Sequence, residues 1–134
     1  MMDGYHDDIE KQTTGNDNFR RVLYTGKNLQ LVLMTLKPGE EIGSEVHEDR
    51  DQFFRFEEGN GKAFIDDNVY DVEDGSGLII PAGSRHNVRN TGDVPLKMYT
   101  IYGPPEHLDG ITQSTKAEAD ERHPHEEWDG KTSE

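Results

Sequence analysis

The sequence contains no cysteine and a single tryptophan in 134 residues. The lack of cysteine excludes disulfide bonds and thiolate metal ligands. It agrees with a reducing compartment, and we expect the protein to be cytoplasmic. No apolar run approaches the roughly 18 residues that cross a bilayer. The polar, acidic N-terminus has the character of neither a secretory signal nor a transit peptide.

Positive charge is also scarce, because 14 Lys and Arg stand against 28 Asp and Glu, for a net charge of −14. No basic stretch interrupts this acidity. Such a surface repels nucleic acids and anionic membranes. We therefore expect neither as a partner, and a small molecule as the substrate.

Composition divides the chain into three parts. Residues 1–18 read as a polar arm, 19–105 alternate short apolar runs with turns, and 106–134 form an acidic tail in which Thr115 can cap a short helix. Strands broken by turns roughly every 8–12 residues are typical of a β-sandwich or barrel. The tail beyond His123 has few apolar residues, so we expect it to be disordered, and we expect residues 122–134 to be dispensable for folding and metal binding.

The stretch from Pro38 to Gly59 predicts a strand, a sharp polar turn and a second strand. Alternate side chains of a strand share a face, so Glu45 and His47 point the same way. If this hairpin folds back on itself, Gln52 joins them. A carboxylate, an imidazole and an amide oxygen that converge on one point indicate a metal site.

A second stretch, residues 74–90, contributes another histidine. Its short apolar strand ends at the turn Pro81-Ala82-Gly83, where proline fixes one dihedral and glycine is free to take a positive φ. His86 then opens the next strand. A histidine presented directly after a tight turn can supply the remaining ligand of the metal site.

Together the two stretches resemble the paired motifs of the cupin superfamily. The first motif keeps its spacing, with glutamate in place of a histidine and glutamine in place of a glutamate: Gly39, Glu45, His47, Gln52 and Gly59. The second is complete: Gly75, Pro81, Gly83, His86 and Asn90. The resemblance covers about residues 28–102. It implies a small single-domain cupin, an all-β fold with an antiparallel double-stranded β-helix or jelly-roll barrel that usually holds one metal.

The donor set of Glu45, His47 and His86, with Gln52 either as a ligand or as a hydrogen-bond partner of a bound water or substrate, favours one divalent ion. Fe, Mn, Ni, Co and Zn all remain open. The set is similar to the two-histidine, one-carboxylate arrangement of non-haem iron sites. The lack of thiolates argues against a purely structural zinc site.

The surroundings of the metal suggest the substrate. Phe54 and Phe56 share the phase of Gln52, so we expect them to line the pocket. Arg55 and Arg85 have the opposite phase to the ligands beside them, which leaves no cation clearly aimed at the metal and favours a small neutral or aromatic substrate.

The remaining histidines divide into one pocket candidate and three surface residues. His107, just past the last strand, is a further pocket candidate over the barrel mouth. His6, His123 and His125 we interpret as solvated.

Three functions stay open at this point. The first is a metal-dependent enzyme, with dioxygenase-like oxidoreductase chemistry slightly favoured. The second is a sugar or sugar-phosphate isomerase that resembles mannose-6-phosphate isomerase, in which Glu45 or a metal-bound hydroxide would be the catalytic base. The third is a non-catalytic protein that binds a metal or a small ligand.

We also expect a homodimer. The segment from Leu29 to Leu36 is apolar on both faces, and the interior of a barrel covers only one of them.

Overall fold

The computed structural model describes residues 2–123 and 125–134. Within that part of the chain, two short helices and ten strands are present. The helices are α1 (Ile9–Thr14) and α2 (Lys116–Arg122). The strands are β1 (Arg20–Thr25), β2 (Gln30–Leu36), β3 (Glu45–Val46), β4 (Asp51–Glu58), β5 (Asn60–Ile65), β6 (Asn68–Glu73), β7 (Gly77–Ile80), β8 (Arg85–Arg89), β9 (Leu96–Gly103) and β10 (Thr112–Gln113). None of the helices in this described part has the length and apolar character needed to cross a membrane.

The strands form two antiparallel sheets. One has six strands in the order β10-β1-β2-β9-β4-β7, and the other has four in the order β3-β8-β5-β6. The inward faces of both sheets supply one apolar core, with Val32, Phe54 and Met98 from the larger sheet and Ala63 and Val88 from the smaller. The predicted all-β antiparallel fold is confirmed.

The connections around the first motif differ from the predicted hairpin. Strand β3 pairs with β8, whereas β4 pairs with β7 and β9, so the two halves of this stretch lie in different sheets. The Gly59-Asn60-Gly61 segment likewise links the two sheets and is not a hairpin turn. Gly59 has φ +86°, and a Cβ atom there would lie 2.5 Å from the carbonyl oxygen of Pro95. Glycine is required at this crossover because two segments of the chain approach closely. A turn pattern in the sequence does not reveal this close approach.

Part of the outer face of β2 is covered within one chain. Helix α1 packs against β2, β4 and β9, and the hydroxyl of Thr35 donates to the carbonyl of Asn16 at 2.7 Å. Beside it, the ammonium of Lys97 donates to the carbonyl of Thr14 at 2.8 Å. Leu33 on this face is fully buried, whereas Leu31 is half-buried and Leu29, just before the strand, is 47% exposed. The N-terminal segment therefore covers only part of the second apolar face.

The homodimer stays a prediction. Exposed apolar side chains occur at Val69, Tyr70 and Ile79. Light scattering at micromolar concentration tests it, and a mass near 15.2 kDa would contradict it. The division into arm, barrel and tail also stays a prediction.

The expected disorder beyond His123 is wrong for the residues that the structure describes. Glu127 forms a β-bridge with His107. The backbone N–H groups of Leu108 and Trp128 donate to Glu126 and Glu106 at 2.9 and 3.0 Å. These backbone bonds attach an acidic segment that has little apolar surface to bury, which is why its composition suggested a solvated chain.

Candidate metal centre

Three side chains that the motifs single out come together at one end of the smaller sheet. One potential ligand atom from each of Glu45, His47 and His86 lies within 4.8 Å of the others. Glu45 and His86 are direct partners in the antiparallel β3–β8 pair, so their side chains stand on the same face. The predicted clustering of these three residues is thus present in the fold.

His47 follows β3 and is held by the turn of the second motif. The backbone N–H of Gly83 donates to the carbonyl of His47 at 2.8 Å, and Gly83 has φ +87°, a conformation that favours glycine. This bond fixes the two motifs against each other. In this arrangement the ring centroids of His47 and His86 are 5.2 Å apart.

Hydrogen bonds orient both imidazoles toward the shared point. Nδ1 of His86 lies 3.3 Å from the carbonyl oxygen of Ser84. A carbonyl only accepts, so Nδ1 carries the proton and Nε2 keeps its lone pair for a metal. Nε2 of His47 lies 3.1 Å from Oε2 of Glu45.

The protonation states of His86 and Glu45 suit cation binding, whereas the raised pKa of His47 favours a protonated ring, from which a metal must displace the proton. Burial lowers the pKa of His86, which favours the neutral imidazole that a metal requires. The hydrogen bond with Glu45 raises the pKa of His47. Burial pushes the pKa of Glu45 upward, but the hydrogen bond with His47 and nearby positive charges outweigh it, so the net shift is downward. The carboxylate is ionised at neutral pH, and a cation would replace the proton that it now shares with His47.

Gln52 lies on the neighbouring sheet and carries an unused acceptor. Its amide nitrogen donates to the hydroxyl of Thr100 at 2.9 Å, whereas its Oε1 atom is buried with no hydrogen-bond partner among the described residues. An unpaired buried acceptor is unfavourable, and a cation or a bound water would satisfy it. The residues present therefore fit a metal.

A cavity of about 490 Å³ opens beside this cluster. Its lining includes Glu45, His47, Arg20, Tyr102, Glu106 and His107. His107 thus lies where the sequence suggested. Phe54 and Phe56 point inward as their phase predicted, but their rings stack 6.0 Å apart within the apolar core. They do not line this cavity, because the core between the sheets encloses them.

The cavity also contains a cation, contrary to the expectation from strand phase. Arg20 is only 8% exposed and lies at the start of β1 in the cavity wall. Strand phase was applied to the arginines beside the motifs, and it left open that Arg20, Arg21 or Lys97 reaches inward; Arg20 does so from β1, in the larger sheet. The premise for a neutral or aromatic substrate is therefore wrong.

Sequence reasoning missed Glu106, which lies close to His47. Its Oε2 atom is 3.7 Å from Nδ1 of His47 and 2.9 Å from Nε of Arg50. Burial raises the pKa of Glu106, against the opposing charges of His47 and Arg50. Because the other nitrogen of His47 faces Glu45, Glu106 stands on the side away from the cluster, where an outer carboxylate orients a metal-binding histidine.

Tyr102 and His107 complete this side of the cavity. The ring of Tyr102 meets those of His47 and His107 edge-on, at 6.1 and 5.3 Å between centroids. Burial lowers the pKa of His107 well below its ordinary range. The only feature of the sequence that indicated Glu106 and His107 was their position directly after the last strand.

Comparison with known proteins identifies two close relatives. The chain is 45% identical over 120 residues to a protein of Bacillus subtilis, YrkC, described as uncharacterized, and the match covers 83% of this chain and 63% of YrkC. The chain thus spans less than two thirds of that relative. The crystal structure of BH2720 from Bacillus halodurans is 45% identical and superposes with a TM-score of 0.86, over 87% of this chain and 93% of BH2720.

More distant structures share the fold alone. A protein of Thermotoga maritima described as a predicted oxalate decarboxylase is 22% identical, with a TM-score of 0.56 over 58% of this chain and 68% of its own. The model of the cupin domain family matches residues 32–102, a segment that contains both motifs and the three clustered side chains. The chain belongs to the cupin family.

Proposed function

We propose that the chain is a metal-dependent enzyme that holds one divalent transition-metal ion through Glu45, His47 and His86, with Gln52 as a fourth donor. The observation that carries this proposal is the convergence of the three ligand atoms within 4.8 Å at the edge of a cavity of about 490 Å³. Pockets of roughly 300–1,000 Å³ are typical of small-molecule sites.

The donor set favours oxygen-dependent chemistry. Two imidazoles and one carboxylate are the ligands of non-haem Fe(II) oxygenases. Such an ion, when bound with open positions, supplies Lewis acidity and redox chemistry. The chain's own residues orient the ligands: Ser84 fixes the tautomer of His86, and Glu106 faces the outer nitrogen of His47.

The geometry also gives a second candidate, an isomerase that moves a proton. Both carboxylates line the cavity; Glu106 is the better candidate for the base, because Glu45 is assigned to the metal. A base must reach the proton that it abstracts, and Glu106 faces the cavity. Binding of a metal or small ligand without turnover is the outcome if neither reaction occurs.

Metal content tests the proposal. Elemental analysis of protein purified without chelators should give one divalent metal per chain, and the double variant His47→Ala/His86→Ala should contain none. The matched control is His6→Ala/His125→Ala, which removes two exposed histidines outside the cavity lining and should leave the metal in place. Full occupancy in the first double variant would refute the assignment.

Turnover then separates the reactions. Oxygen consumption by Fe(II)-loaded protein with catechol supports the oxidoreductase, and interconversion of hexose phosphates followed by NMR supports the isomerase. Glu106→Gln should reduce the isomerase activity more than the oxidoreductase activity, because only the isomerase needs this carboxylate as a base.

We further propose a cytoplasmic location, consistent with the complete lack of cysteine.

A further inference from the structure

Arg20 is a buried cation without an anionic partner. Its side chain is 8% exposed, and no ion pair in the described part of the chain includes it. Arginine keeps its charge in proteins. A buried charge is unfavourable unless it is paired, so this guanidinium lacks the counterion that its position calls for.

The hydrogen bonds of Arg20 leave donors free. Nη1 donates to the side-chain oxygen of Gln113 at 2.6 Å, and the guanidinium carbon lies 5.1 Å from the centre of the Phe19 ring. These contacts fix the orientation of the side chain. Nε is buried and has no hydrogen-bond partner in residues 2–123 and 125–134.

The four acidic residues that line the described cavity form no ion pair with Arg20. Glu45 is close enough to feel the charge of Arg20, but its carboxylate is bound to His47 at 3.1 Å. Glu106 contacts Arg50 at 2.9 Å. The side chains of Asp120 and Glu127 are 69% and 57% exposed, and they pair with Lys116 and His123. The described part of the cavity thus contains one guanidinium without an ion-pair partner, and this guanidinium lines the same cavity as Glu45 and His47.

We propose that Arg20 is an anion subsite and that the substrate is a small organic acid, held by its carboxylate on Arg20 while a hydroxyl or carbonyl oxygen faces the metal centre. The planar fork of a guanidinium matches a carboxylate. A single arginine favours one carboxylate over a phosphate, for which more donors would be needed. This inference rests on the proposed metal site and names the substrate class of that site.

Matched probes test the subsite. Lactate and propane-1,2-diol differ in that one has a carboxylate where the other has a hydroxymethyl group, and both carry the neighbouring hydroxyl. Their binding to the full chain, purified with its metal, can be followed by ligand-observed NMR. Lactate should bind at least about tenfold more tightly than the diol. Arg20→Gln should remove that preference, and Arg20→Lys should retain part of it.

Arg21 provides the matched control. It is exposed and is the next residue on the same strand, so Arg21→Gln changes the net charge equally without touching the cavity. The preference for lactate should survive in this variant. If Arg21→Gln reduces the preference as much as Arg20→Gln does, the effect is long-range electrostatics and the subsite is refuted.

A measurement on the unmodified protein guards against misfolding of the variants. In arginine-labelled protein, the Nε–H resonance of Arg20 should shift with lactate and stay in place with propane-1,2-diol. An unmoved resonance in the presence of bound lactate overturns the proposal.

Metal content of the same samples separates the two proposals. If the protein contains its metal but prefers neither probe, the subsite fails and the metal site stands. If no metal is bound but lactate still depends on Arg20, the proposed metal-dependent function fails and the subsite stands.

Discussion

The two sides of the cavity come from different kinds of sequence. The motif wall, Glu45, His47 and His86, is presented by β3, the turn that follows it and β8, and it is fixed by strand register and one backbone bond between the motifs. The closing wall, Arg20, Tyr102, Glu106 and His107, comes from β1, the end of β9 and the segment after it. The first carries the candidate ligands, and the second carries the groups that orient them and face a substrate.

This difference suggests that backbone pairing fixes the motif wall, whereas the closing wall tolerates more change. Backbone pairing sets the spacing of the motif wall, so a change there alters metal binding directly. The closing wall depends on side chains from distant positions and on the attached tail. A change there should act on affinity, selectivity or stability in smaller steps. The following predictions order these effects from large to small.

Removal of the carboxylate from the motif wall should have the largest effect. Glu45→Gln keeps the shape and removes the charge, so we expect metal affinity to fall by more than the roughly 10–100-fold that loss of an outer residue causes. Competition with a fluorescent chelator measures this. Glu48→Gln, an exposed neighbour, is the control. Equal affinities of the two variants would mean that Glu45 is not a ligand.

Glu106 tests the link between the two walls. Glu106→Gln removes the negative charge 3.7 Å from Nδ1 of His47, and we expect a loss of metal affinity of about 10–100-fold. The same chelator competition measures it, and Glu121→Gln on the exposed face of α2 is the control. Unchanged metal affinity together with lost turnover would instead make Glu106 a catalytic group only.

The sequence predicted the motif wall because its geometry is local. Strand phase placed Glu45 with His47, and the second motif located His86 after its turn. Of the closing wall, only His107 was predicted, and the other residues were not assigned for a physical reason. Glu106 follows two prolines outside any strand, so no periodicity indicates its direction. Arg20 shares its inward phase with Val22, but nothing in one strand tells which residues of the opposite sheet it will face.

The tail tests how far the closing wall depends on its attachment. Truncation after Glu121 removes the bridge to His107 and the backbone bonds to Glu106 and Leu108. Each such bond contributes about 0.5–1.5 kcal/mol, so the melting temperature should fall by several degrees, with the metal retained. Truncation after Trp128 keeps these bonds but removes those that Ser133 makes with Thr25 and Asp109, so the shorter variant should melt at a lower temperature than this control. An unchanged melting temperature in the shorter variant would restore the solvated tail.

The smallest expected effect concerns His107, which is buried in the closing wall with its pKa lowered well below the ordinary range, first by burial and then by the charge of Arg20. Below a pH of about 6.5 the unfolded chain takes up a proton at this residue that the folded chain does not. His107 therefore makes the fold less stable as the pH falls from that value and has no such effect above it.

His107→Gln should remove this dependence and keep a polar side chain near Tyr102. We expect the loss of unfolding free energy between about pH 7.5 and about pH 5 to be smaller in the variant than in the parent, by at most about 1.4 kcal/mol per pH unit. Urea unfolding at both pH values measures it in metal-free protein, so that ligand protonation at the motif wall is the same in both chains. His6→Gln, at an exposed position, should follow the parent. An identical acid loss in His107→Gln and the parent would mean that His107 is protonated in the folded state, and that the closing wall is open to water at this point.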